Sequence, residues 1–213
     1  QRQMCIRDSY KRALAGEYRL WTMDSRVEGR AMAETSIVDL RDELHRGNRS
    51  IISDELANDI ADRLSKREQI MLFINKRGYN SFVSCRSCGE AVKCPHCDVS
   101  LTYHRNGRLK CHYCGFERPL PDRCPSCGSP FIAPFGTGTQ KLEEFTKREF
   151  PTARVLRMDA DTTAKKGAHE EILVTFAEGG ADILIGTQMI VKGHDFENVT
   201  LVGVMAADLS LYA

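Results

Sequence analysis

Long apolar runs are missing from this 213-residue sequence. The longest, Ile70 to Ile74 and Leu201 to Ala207, fall well short of the roughly 20 residues that a bilayer-spanning helix needs, and no charged and apolar leader pair opens the chain. A soluble, cytosolic protein with no membrane partner is expected. Charge of one sign is also lacking: 30 Lys and Arg stand against 29 Asp and Glu, a formal +1. No overall field draws the chain to nucleic acid, so any such contact must be local. The phosphate-cradling pattern G-x-x-x-x-G-K-[ST] does not occur, and no acidic box to hold Mg²⁺ is expected, although Asp42-Glu43-Leu44-His45 has the DE-x-H spelling. The chain alone therefore lacks machinery for phosphoryl transfer, and no residue is assigned a catalytic role. Hydrophobic residues at 42% and charged residues at 28% are ordinary globular usage, which leaves one large or two small folded domains.

Cysteine, by contrast, is abundant. Eight of the nine form four C-x-x-C pairs, Cys85/Cys88, Cys94/Cys97, Cys111/Cys114 and Cys124/Cys127, with Cys5 left over. In a chain without an export signal, this spacing is that of tetrahedral Zn²⁺ sites rather than of a disulfide framework. Two structural zinc ions are expected; four thiolates each leave no open position for water. A thiol-exchange role fits poorly, because four pairs in so short a stretch exceed what one exchange site needs. Eight thiolates and two Zn²⁺ add a formal −4, taking the chain from +1 to −3.

Each knuckle needs a residue tolerant of positive φ just after its second cysteine; Gly89, Gly115 and Gly128 supply it, and Asp98 can substitute. The four pairs combine in three ways. Val99 to Tyr103 and Leu109 to His112 flank Asn106-Gly107, a type I′ hairpin signal. This favours a nested pairing: Cys94, Cys97, Cys111 and Cys114 in one site, and Cys85, Cys88, Cys124 and Cys127 in the other. His96, His104 and His112 lie among the cysteines and are alternative ligands, although eight thiols already suffice. From 85 to 127 there are seven basic residues against four acidic ones, so a contact with DNA or protein through the hairpin tip, Arg105 to Lys110, stays open beside the simpler reading of a solvated face.

The rest of the chain alternates as α/β units do. Gln1 to Ser9 show no periodicity and read as a frayed or artefactual start. Tyr18 to Met23 is strand-like, Ile37 to Leu40 is a second short apolar run, and Arg41 to Ser50 reads as a connector. Ser53 can cap a helix carrying Leu56, Ile60 and Leu64, followed by a strand at Ile70 to Ile74. Beyond the cysteines come a helix from Thr139 to Phe150, a strand from Arg154 to Met158, a helix from Ala168 to Ala177, and strands at Ile183 to Ile185 and Val199 to Met205. The expected fold class is α/β, a parallel sheet interrupted by a zinc insertion. In such sheets ligands bind beyond the carboxyl ends of the strands, which singles out Asn75 to Gly78, Asp159 to Asp161, Gly186 to Asp195 and Ala207-Asp208. Residues 135–139, before a helix, can also offer amides to a phosphate.

The run ILIGTQMIVKGHDFENVTLVGV from Ile183 to Val204 resembles motif V of the primosomal protein N′ (PriA) family, the replication-restart DNA helicases of superfamily 2. The order of FINKRGY at 73–79, the four knuckles, FGTGTQKLE at 135–143 and RMDAD at 157–161 is similar to that family, from about Tyr10 to the last residue. The resemblance implies an ATP-dependent 3′-to-5′ helicase that recognises stalled or repaired forks and initiates primosome assembly. Its implied cofactors are ATP and Mg²⁺ in the full-length protein, and its partners fork and single-stranded DNA, primosome proteins and single-stranded DNA-binding protein. Residues 1–49 would then be the tail of the first helicase lobe and a connector, 50–84 with 131–213 a discontinuous second RecA-like lobe, and 85–130 a two-zinc ribbon-type insertion.

By the same resemblance Thr187 touches the tracked strand, Gly138 and Thr139 lie near DNA, and Gly193 and Asp195 face the nucleotide. By that resemblance the chain is expected to lack the family's DNA-binding amino-terminal domain, Walker A lysine, acidic box, motif III and arginine-finger motif, and so to be an internal fragment, inactive alone. The alternative is a stand-alone zinc-ribbon module that binds DNA or protein without catalysis. A thiol chaperone would need C-x-x-C-x-G-x-G repeats, and glycine follows only three of the knuckles.

Overall fold

The computed structural model describes residues 6–22, 24, 32–74, 81–104, 106–134, 138–190 and 196–207. The chain divides into two units, Gln1–Ile37 and Val38–Ala213. In the first, α1 (Ile6–Leu14) carries Ile6, Tyr10 and Leu14 four residues apart. It ends where Gly16 adopts φ 82° and the Glu17 amide reaches back to the Arg12 carbonyl. The absence of periodicity expected for Gln1 to Ser9 is therefore corrected from Ile6 onward: the repeat lies mostly beyond Ser9. The expected strand at Tyr18 to Met23 is not formed between Tyr18 and Thr22, and Met23 lies outside the described residues.

In the second unit α2 (Leu40–His45) is capped by Asp39, and α3 (Asp54–Ser65) by Ser53, whose hydroxyl accepts from the Leu56 amide at 3.1 Å. Strand β1 (Gln69–Ile74) follows. It joins β7 (Val155–Met158), β8 (Ile183–Gly186) and β9 (Val199–Met205) in a parallel sheet of order β7-β8-β1-β9. β8 is buried at every position, as expected of an inner strand covered on both faces. Its alternation sends Ile183 and Ile185 into a core with Ile60, Ile70, Leu72 and Leu142, under α3 and α4 (Thr139–Glu149). Leu184 points the other way, to Phe176 of α5 (Ala168–Ala177) and Met158. At the end of β8 a side chain on Gly186 would meet the Met158 carbonyl oxygen at 2.8 Å. Glycine there lets the 3₁₀ turn Gln188–Ile190 fold against β7.

Between β1 and α4 a second, antiparallel sheet rises. It contains β2 (Ser81–Cys85), β3 (Thr102–Tyr103), β4 (Arg108–Lys110), β5 (Glu117–Pro119) and β6 (Ile132–Pro134), in the order β5-β4-β3-β2-β6. The boundaries expected at 84/85 and 130/131 fall inside its stem. β2 and β6 pair through Val83↔Pro134, Ser84↔Ala133 and Cys85↔Ile132, and β2 continues onto β3. The cause is apolar: Val83 and Ile132 pack with Val92, Leu101 and Leu109 in the insertion's own core.

The hairpin turn also differs from the expected type I′, which needs positive φ at two successive residues. Gly107 has φ 79°, and the hydrogen bonds set the length of the loop. His104 donates to the Arg108 carbonyl and Gly107 to that of His104, so the loop has three residues with a left-handed glycine last.

Candidate metal centres

All four knuckles are one local structure repeated. The amide four residues after each first cysteine donates to that cysteine's carbonyl: Gly89 to Cys85 at 2.8 Å, Asp98 to Cys94 at 3.0 Å, Gly115 to Cys111 at 3.0 Å and Gly128 to Cys124 at 2.9 Å. Each of these residues has positive φ, 79°, 55°, 76° and 73° in turn. The next carbonyl then accepts from the first cysteine's own amide, as with Val99 to Cys94 at 2.8 Å. The turn leaves both sulfurs of a pair on one side, and sheet pairing sets two such pairs face to face.

Two four-sulfur cages result, an outer one of Cys85, Cys88, Cys124 and Cys127 and an inner one of Cys94, Cys97, Cys111 and Cys114. This is the nested arrangement. Opposed sulfurs stand 3.6 Å apart for Cys85 and Cys127, 3.7 Å for Cys88 and Cys124 and 3.6 Å for Cys94 and Cys114. A tetrahedron with Zn–S of about 2.3 Å has edges of about 3.8 Å, whereas a disulfide needs about 2.05 Å. The donor sets thus fit structural zinc and exclude disulfides. His96 instead packs edge-on against Phe116, and His104 against His112; neither cage includes a histidine.

Each cage has two sulfurs in the interior and one, Cys114 or Cys127, at the surface. The Cys114 and Tyr113 amides aimed at Cys111 hold its thiol down to about 7. Burial opposes the same effect at Cys124, but the Cys127 and Ser126 amides outweigh it, again to about 7. Hydrogen bonding with Cys114 pushes Cys97 up to about 12, and burial pushes Cys88 up to about 12. Without a cation, each cage therefore keeps thiol protons at neutral pH that zinc must displace. Zinc affinity is expected to fall as pH falls, by more than about tenfold per unit because more than one proton returns to each cage. Competition with a chromophoric chelator between pH 8 and 6 measures it.

The other sequence candidates gather at the carboxyl edge of the parallel sheet. Gly138 caps α4 in extended conformation, and its carbonyl accepts from the Leu142 amide. Thr139 is buried and donates its hydroxyl to Asp159, the residue that follows β7. Thr187 follows β8, half-buried, and its carbonyl starts the 3₁₀ turn through Ile190. Gly193 and Asp195 lie outside the described residues, as do residues 75–80, 135–137 and Asp208.

Sequence reasoning singled out Asp159 to Asp161 as a strand-end candidate but gave Asp159 no role of its own. Its carboxylate accepts from Thr139, from Arg157 at 2.7 Å and from the Asp161 and Thr162 amides at 3.1 and 3.0 Å. An acid directly after an apolar strand, two residues from an arginine, was the available signal.

The family model for the PriA DNA helicase Cys-rich region (CRR) domain matches residues 94–119, the inner cage with its hairpin. The replication restart protein PriA of Bacillus subtilis is 58% identical over 206 residues, covering 96% of this chain and 26% of that relative. The PriA of Synechocystis sp. is 50% identical over 191 residues, 87% of this chain and 23% of its own length, and that of Chlamydia pneumoniae 42% over 209 residues, 96% and 28%. The chain thus spans about a quarter of the length of the curated relatives it matches. Over the stretch it spans, with both cysteine cages inside the matched region, this chain belongs to the PriA family of replication restart proteins.

Proposed function

We propose that this chain forms part of an ATP-dependent 3′-to-5′ DNA helicase that recognises stalled or repaired replication forks and initiates primosome assembly. The 50–84 and 131–213 stretches act as the second RecA-like motor lobe, and the zinc insertion is a rigid structural appendage. The observation that carries the reading is the emergence of a two-cage zinc sheet between the first two strands, in chain order, of a parallel sheet. A closed cage holds shape and offers no catalytic position. The described candidates for strand contact, Gly138, Thr139 and Thr187, gather at the sheet edge where open α/β folds bind ligands.

On this reading Gly193 and Asp195 face ATP and Mg²⁺ at the interface with a partner lobe carrying the phosphate-binding lysine. DNA forks and single strands, primosome proteins and single-stranded DNA-binding protein are the expected partners, and the cytoplasm the expected site of action. Alone, the chain is expected to turn over no ATP.

The test is a chimera in which this chain replaces the matching segment of the Bacillus subtilis relative. DNA-stimulated ATP turnover and fork unwinding are expected to persist, and Thr187→Ala to reduce unwinding by at least about tenfold, the scale of one lost charge-assisted contact. A folded, two-zinc chimera that binds fork DNA without stimulated turnover would refute the assignment of the second motor lobe.

A further inference from the structure

The outer cage is tied to the parallel-sheet body by more than the chain that links them. Arg86 lies between the ligands Cys85 and Cys88, and its guanidinium donates to three successive carbonyls of the loop before α3: Asn48 at 3.2 Å, Arg49 at 2.7 Å and Ser50 at 2.5 Å. That loop is organised from within by Asn48 and Glu43. Asn48 donates to Glu43, Asp54 and the Ile52 carbonyl, and accepts from the Ser50 amide. Glu43, only 3% exposed, also accepts from the Asp54 amide at 2.7 Å, at the first turn of α3. Two further contacts join the zinc sheet to the loop and to α2. Arg49 lies over the Phe131 ring, 5.3 Å from its centre, and Phe131 accepts from the Arg86 amide. Gly89 of the first knuckle faces Arg41 of α2, whose Cδ would stand 3.5 Å from any side chain placed there.

The inner cage is held differently. Cys94 and Cys111 belong to the insertion's apolar core with Val83, Val92, Leu101 and Leu109. The two cages thus differ in what they support: the inner one its own sheet, the outer one a clasp on the body.

We propose that Arg86 is a positioning residue coupling the outer metal site to the loop from Arg46 to Ser53, so that occupancy of this cage, and not of the inner one, fixes the start of α3 relative to the zinc sheet. The reasoning is linkage. Arg86 reaches three carbonyls only when its backbone is held in the knuckle turn, and metal ligation by Cys85 and Cys88 selects that turn. A loop that prefers the clasped knuckle must in return strengthen metal retention in the same cage. The inference does not depend on the helicase reading.

The full chain, loaded with zinc, provides the test by hydrogen exchange and by metal release to 4-(2-pyridylazo)resorcinol. With Arg86→Met, amides from Ile52 to Leu56 are expected to exchange at least about tenfold faster, and one of two zinc ions to leave at least about tenfold faster while the other keeps its rate; tenfold is the effect of a typical hydrogen bond to a charged group. Cys127→Ser, at the exposed ligand of the outer cage, should raise the same exchange, and Cys94→Ser in the inner cage should leave it at the wild-type level. Unchanged exchange in both Arg86→Met and Cys127→Ser overturns the proposal. So does a Cys94→Ser chain whose loop loosens as much as that of Cys127→Ser.

Discussion

Stripping both metals at neutral pH is expected to melt the five-stranded antiparallel sheet while β1, β7, β8 and β9 keep their protection against hydrogen exchange. The buried core of the insertion holds six residues, and two of them, Cys94 and Cys111, are ligands. The remaining Val83, Val92, Leu101 and Leu109 contribute about 1.5–3 kcal/mol each by burial. A structural zinc contributes about 10–16 kcal/mol in comparable small domains. Metal is thus the larger stabilising agent, set against the ordering cost of an insertion with strands of only two to five residues. The parallel sheet has no such dependence: Ile60, Ile70, Leu72, Leu142, Ile183 and Ile185 fill one face, and Met158, Phe176 and Leu184 the other. Exchange mapped by peptide after dialysis against a chelator and reductant would show the difference. Retained protection from Cys94 to Pro119 in verified metal-free chain contradicts the argument. Restoring Zn²⁺ should restore the sheet, with the inner cage recoverable in a Cys127→Ser chain.

What could be read from the residues, and what could not, divides by range. The positive-φ positions after each knuckle were legible, Asp98 included, because the constraint is local and few residues meet it. The nested cages were legible because a hairpin signal joined the inner pairs, although the turn has three residues and not two. Helices α3, α4 and α5 and strands β1 and β7 to β9 follow from periodicity and one cap, Ser53. The stem was not legible: Ser81 to Cys85 is five residues, and whether Val83 belongs to the body or to the insertion depends on Leu101 and Leu109, which lie far along the chain. The Arg86 clasp was hidden for the same reason, since its acceptors are backbone carbonyls that carry no residue identity. Thr139 shows the limit at the sheet edge. The pattern places it at a helix start, but only the fold shows its hydroxyl engaged by Asp159.

Asp159→Ala is expected to destabilise the parallel-sheet body by about 3–5 kcal/mol, the range for removing one partner of a buried ion pair. Asp159 is 7% exposed and its carboxylate serves Thr139, Arg157, Asp161 and Thr162 together; Arg157 is in turn bound by Glu143 of α4 at 2.9 Å. Removing it leaves a guanidinium, a hydroxyl and two amides to find water at a site with little access. Burial alone would push this carboxyl up, but the Thr139 hydroxyl, the Thr162 amide, the Arg157 guanidinium and the Asp161 amide outweigh it and hold it below the usual range. The folded value lies under the unfolded one, so the contribution is fully present above the ordinary carboxylate range and is lost as pH falls through the folded value.

Urea unfolding of zinc-loaded chain, followed by far-ultraviolet circular dichroism, should therefore give a gap between wild type and Asp159→Ala that is widest near pH 7 and narrows below about pH 4. A gap that stays constant into acid would mean that the carboxylate's charge is not what the site uses. Asp159→Asn separates shape from charge: it keeps the volume and one acceptor, so its loss should be smaller and its gap likewise pH-dependent. Thr139→Val in the Asp159→Ala background should cost less than Thr139→Val alone, because the two side chains share one hydrogen bond. The same bond anchors the first turn of α4 and so holds Gly138 and Thr139 in place at the sheet edge.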